Sequence, residues 1–126
     1  MSITFAPATI RTRDNVIETH DGPEWEHITV NVHNDNAVRV LELLGLLNRE
    51  LLAVGDIYGD RPAEEFLGRV LIAEALTPID EGVPAYQSRP NFYECGRAAG
   101  YLQFRLDELH TLAEYCLANG HVVAWT

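Results

Sequence analysis

Three features of the sequence predict an α+β fold. Residues 27–33 alternate polar and apolar with a period of two, most of 37–118 carries apolar residues at helical spacing, and the strand-like segments are segregated from the helical ones along the chain. The expected architecture is a small mixed or antiparallel sheet of three to five strands, packed largely on one face against a layer of three to four helices. At 126 residues and 47% hydrophobic, the chain suits one domain, 1–126, with an ordinary core.

The N-terminal strands come first. Ile3, Phe5, Thr9, Ile10, Thr12, Val16, Ile17 and Thr19 have β-type character around a turn at Asp14-Asn15, which predicts a hairpin. Asp21-Gly22-Pro23 breaks the chain, and strand 27–33 follows with Ile28, Val30 and Val32 on its apolar face. Helical spacing begins at Ala37, with Asn34, Asp35 or Asn36 as N-cap and Gly45 as the stop. Leu46 to Val54 suggests another turn or two of helix, and Gly55 to Gly59 reads as loop. Asp60-Arg61-Pro62 supplies a capping acid and a first-turn proline for a helix running to about Leu76, ended by Thr77-Pro78. Its expected buried stripe is Phe66, Leu67, Val70, Leu71 and Ala73. Residues 77–95, rich in turn formers, are expected to be a long loop. The longest helix is placed at 97–118, with Leu102, Leu106, Leu109, Ala113, Cys116 and Leu117 inward and Asn119-Gly120 at its end. Residues 121–125 close the chain as a strand.

Composition excludes several chemistries. Nineteen acidic and nine basic residues give a formal charge of −10, which disfavours broad contact with nucleic acid. All nine basic residues are arginine, so neither a lysine-dependent phosphate loop nor Schiff-base chemistry is available. No signal-like start or long apolar run is present, and Cys95 and Cys116 lack Cys-x-x-Cys spacing; the expectation is a cytoplasmic protein with reduced thiols and no membrane association. No cofactor is implied.

The candidate site is the strand-to-helix junction. Helix starts carry unpaired N–H groups and partial positive charge, so a corner lined by Asn31, His33, Asn34 and Asn36 suits a small anionic or nucleotide-like ligand. If the last strand pairs parallel to 27–33, the start of helix 97–118 reaches the same end of the sheet, and Arg97, Tyr101 and Arg105 at four-residue spacing would wall the pocket. The competing structural reading pairs Arg105 with Glu108 or with an acid of another helix and packs Tyr101 at the domain edge. Arg61, Glu65 and Arg69 at the same spacing read as two stabilising ion pairs.

The stretches Asn31 to Ala37, Leu43 to Leu46, Ala63 to Val70 and Gly96 to Leu102, running into Arg105-Leu106, resemble a family of small uncharacterised proteins of actinobacteria and their phages. The resemblance covers roughly 28–125 and implies a source rather than an activity.

Catalytic patterns are weak by comparison. Neither Ser2 nor Ser88 sits in a nucleophile turn, and His110, Cys116 and His121 match no zinc spacing. The favoured expectation is a non-enzymatic binding protein of small anionic ligands, with a homodimer as a further expectation. The first alternative is a phage module that docks on a host protein through acidic or aromatic surface, including Trp25, Tyr58, Tyr86 and Tyr93; the second is a thiol or metal-dependent hydrolase using Cys95 or the histidines.

Overall fold

A computed structural model of the chain describes residues 2–78, 81, 82, 84, 86–89, 92–94 and 98–126, with the backbone alone given for 34, 86–89 and 92–94. Strand β1 (Ser2–Ile10) and β2 (Ile17–Thr19) form the expected hairpin. Asn15 takes positive φ in the turn, and Asp14 Oδ1 accepts from the Val16 N–H at 3.2 Å. A 3₁₀ turn at Pro23–Trp25 leads to β3 (Val30–His33), which passes without a loop into α1 (Asn34–Leu44). Next come α2 (Arg49–Ala53), β4 (Gly59–Pro62) and α3 (Ala63–Leu76). The antiparallel strands β5 (Tyr86–Arg89) and β6 (Phe92–Glu94), then α4 (Tyr101–Asn119) and β7 (Val122–Trp125), complete the order.

The main sheet has five strands, and every pairing in it is antiparallel. One edge of β1 is shared by β3, against residues 2–5, and β2, against residues 8–10. Its other edge takes β7, whose far side pairs with β4. The last strand and β3 therefore run in the same direction, as the site hypothesis requires, but they do not pair. β1 lies between them.

Alternation along β1 sorts the two faces. Ile3, Phe5 and Pro7 point into the core, where Val30, Val32, Val123 and Trp125 join them from neighbouring strands. On this face lie α1, α3 and α4, contributing Val40, Leu41, Phe66, Val70, Leu102, Leu106, Leu109 and Leu112. Phe5, Phe66 and Trp125 meet at about 6 Å between ring centroids, tying the first strand, the third helix and the last strand together. The opposite face carries small or polar groups: Thr4, Ala6, Ala8, Thr19, Asn31 and Ala124.

Several boundaries differ from those expected. Residues 59–62, read as loop end and helix start, are strand β4, and α3 begins only at Ala63. Gly-Asp-Arg-Pro has no apolar alternation to betray a strand. It is held there by pairing with β7, and Pro62 suits an edge position. The backbone at 86–89 and 92–94 forms two paired antiparallel strands within the segment expected to be loop. α4 starts at Tyr101, not 97, with Gly100 in the left-handed region before it. Leu71 and Leu117, placed in buried stripes, are exposed, while Leu112 is fully buried. Among the described residues, no helix is long and apolar enough to cross a membrane.

Candidate functional site

At the junction, the helix starts earlier than the polar cluster suggests. His33 is the N-cap, extended at φ −104°, and makes no side-chain cap bond; Asn34, Asp35 and Asn36 fall inside the first turn of α1. Asn31 donates from Nδ2 to Thr4 Oγ1 at 2.7 Å, bonding to its cross-strand partner. Asn31 and His33 are exposed, Asn36 is half-buried, and the side chain of Asn34 is not described.

The residues of α4 are differently engaged. Tyr101 packs at the margin of the core, and the Arg105 guanidinium stacks over its ring at 4.9 Å while pairing with Glu108. Desolvation opposes the charge on Arg105, but Tyr101 and Glu108 outweigh it and hold its pKa up. Arg97 lies outside the described residues. Asn31 and His33 project from the outer face of the sheet, whereas α4 covers the inner one. Among the described residues, no hydrogen bond, ion pair or ring contact joins Asn31, His33 or Asn36 to Tyr101 or Arg105. Sequence spacing captures the helix ends, but not the sheet face from which each side chain leaves.

Basic groups instead gather at the other end of α1. Gly45 ends this helix at φ +68°, where a side chain is disfavoured, and Asn48 caps α2 by accepting from the Glu50 and Leu51 N–H groups at 3.0 and 3.2 Å. Arg69 of α3 donates from one guanidinium nitrogen to Leu44 O at 3.1 Å and Gly45 O at 3.3 Å, fastening the turn to the helix layer. A cleft of about 500 Å³ opens beside it, lined by Asn48, Arg49, Glu50 and Arg61 among others. Arg61 donates to Asp60 O at 2.7 Å and pairs with Glu65 at 3.1 Å; Glu65 also reaches Arg69 at 3.9 Å, giving the two expected ion pairs. Arg49 forms no ion pair among the described residues. Nothing in the local sequence marks Arg49, because the cleft depends on β4 bringing Arg61 beside the α1–α2 turn.

The thiol and metal alternatives gain no support. Burial pushes the Cys116 thiol up to about 12, so it carries no thiolate near neutrality. Cys95 lies outside the described residues. His110 faces α3, bonding to Glu74 at 2.9 Å and pairing with Glu114, rather than converging with Cys116 and His121. No group of three or more metal-ligating side chains forms among the described residues.

Comparison with protein-family models, curated proteins and solved structures gives no match. The functional reading therefore rests on the geometry alone.

Proposed function

We propose that this is a small non-enzymatic binding protein of the cytoplasm, and that its ligand is a compact anion such as a phosphate or a phosphorylated metabolite. The observation that carries the reading is the cleft beside the α1–α2 turn: on a chain of net charge −10, Arg49, with no ion pair among the described residues, faces one concavity together with Glu50 and with Arg61, which is paired to Glu65. A guanidinium without a protein partner offers a planar pair of donors to a phosphate or carboxylate. The cleft is open and polar, which suits reversible binding of a small charged group.

The test is thermal unfolding with inorganic phosphate and a nucleoside monophosphate at low salt. Ligand at about one hundred times its Kd adds about 2.7 kcal/mol of stability, and Arg49→Ala is expected to abolish the shift. Arg97→Ala serves as the comparison for the strand-to-helix junction. Absence of a shift, or a shift that survives Arg49→Ala and fails with Arg97→Ala, rejects the cleft.

A second reading, docking on another protein, draws on the exposed Ile10, Val16 and Ile17 of the N-terminal hairpin. Ile17 and exposed Tyr58 line a shallow depression of about 400 Å³ on the outer sheet face. A partner retained through Ile17→Asp and Tyr58→Ala would reject it.

A further inference from the structure

A cage of rings closes the inner face of the sheet where the helix layer ends. Thr9 leaves β1 on the same face as Phe5 and Pro7, and two imidazoles flank it: His20, just after β2, and His121, just before β7. Thr9 Oγ1 lies 2.9 Å from His20 Nε2 and 3.3 Å from His121 Nδ1. The imidazole centroids are 5.2 Å apart. Trp25 stacks on His20 at 4.9 Å, Tyr115 stacks on His121 at 6.2 Å, and Trp25 meets Tyr115 edge-on at 6.1 Å. All four rings are half-buried. Three stretches distant in sequence, around residues 9, 20–25 and 115–121, thus meet at one hydroxyl and two histidines.

Proton counting shows what this arrangement tolerates. A threonine hydroxyl has one proton, and between two neutral imidazoles the bonds run in one direction: one ring N–H donates to Oγ1, and Oγ1–H donates to the bare nitrogen of the other ring. An imidazolium donates from both nitrogens. When both rings are charged, the hydroxyl, which is itself exposed, faces two donors and its own proton must turn from the cage to solvent. Two like charges then also stand 5.2 Å apart.

The surroundings supply little compensation. The hairpin turn and β2 bring Arg11, Asp14 and Glu18, with Arg11 pairing to both acids at 3.1 and 3.0 Å, and exposed Asp21 follows His20 in the chain. The 3₁₀ turn brings the Trp25 indole with exposed Glu24 and Glu26 beside it, and α4 brings the Tyr115 phenol. None of these carboxylates is hydrogen-bonded or ion-paired to either imidazole among the described residues. Burial, and then the proximity of His20, hold the pKa of His121 below its ordinary value.

We propose that the His20–Thr9–His121 cage is a pH-operated latch: with at least one imidazole neutral it clamps residues 20–29 against the corner between α4 and β7, and charging both releases that segment. A histidine whose folded pKa is depressed contributes stability that is complete above its unfolded value, near 6.5, and lost as pH falls toward the folded value. Opening therefore belongs to mildly acidic conditions. It would uncover Trp25 and the end of the core beneath it. This inference stands independently of the anion cleft, which lies at the α1–α2 turn and shares none of these residues.

The deciding measurement is a proton NMR titration of the imidazoles in the wild-type chain, alongside hydrogen exchange across residues 20–29. A midpoint below 6.5 is expected for His121. Exchange in 20–29, corrected for intrinsic rates, is expected to speed by about tenfold or more from about pH 7.5 to about pH 5, beyond any change in the rest of the sheet. His121→Gln, which keeps a bonding group without the titration, should remove most of that dependence. If that variant does not fold, the wild-type titration decides alone. A His121 midpoint at the ordinary value, or exchange in 20–29 that merely follows the rest of the sheet, overturns the latch.

Discussion

The indole of Trp125 lies so close over Gly59 that a methyl group at position 59 would stand 2.4 Å from Trp125 Cζ2. The contact occurs at the paired register of β4 and β7, where the two residues are directly opposed. Trp125 also lies about 6 Å from both Phe5 and Phe66, so its ring cannot move aside without disturbing the core. Gly59→Ala is therefore expected to destabilise the protein by about 1 to 3 kcal/mol through overpacking. Denaturant unfolding measures this directly; an unchanged midpoint would show that β4 can shift away from the ring.

Burial separates two leucines of α4. Leu109 is fully buried and Leu117 is half exposed, at 51%. Leu109→Ala is expected to cost about 2 to 5 kcal/mol through lost burial and cavity formation. Leu117→Ala should remain within about 0.5 kcal/mol of wild type. Equal costs in paired melts would contradict the orientation of the helix.

His110 should respond to pH in the opposite sense from His121. Burial opposes its charge, but Glu74 and Glu114 outweigh this and raise its pKa above 6.5. The stability it contributes is complete below the unfolded value and lost as pH rises through the folded one. Glu74 is itself raised, by burial and then by Asp107, with His110 pulling the other way. Replacing Glu74 with Gln should lower the His110 midpoint in an NMR titration, and a midpoint that stays put would show that Glu114 alone sets it.

Cys116 should resist alkylation in the native protein. Its thiol is buried, with a pKa near 12, so iodoacetamide near pH 8 finds neither access nor thiolate. Peptide mapping should show modification at this position only after unfolding. Rapid native labelling of Cys116 would mean that α4 opens readily from the sheet.

How much of this was legible depended on whether a local pattern reported the structure. Alternation at Val30 and Val32 marked β3, although Ile28, read as part of the same strand 27–33, lies in the turn before it, and the Gly45 and Asn119-Gly120 stops marked the ends of α1 and α4. The five-strand antiparallel sheet and its helix layer fall within the expected α+β architecture. β4 was not legible, since Gly59, Asp60, Arg61 and Pro62 become a strand only through β7. The junction residues were visible as a polar cluster. What a linear pattern could not show was that β1 separates β3 from β7, or that Asn31 and Tyr101 lie on opposite faces of the sheet. Arg49 and the histidine cage were hidden for the same reason: their partners come from distant segments.

The central position of β7 has a consequence for how the molecule assembles. Residues 122–125 slot between β1 and β4, joining positions more than one hundred residues apart on one side. On a ribosome, the N-terminal hairpin would emerge long before the strand that links it to β4. Half of the sheet must wait for the other until that late arrival, and such long-range closure is expected to slow folding. Deleting 122–126 would then do more than shorten an edge: it would leave β1 and β4 as two unjoined borders, each free to recruit a strand from a neighbouring chain.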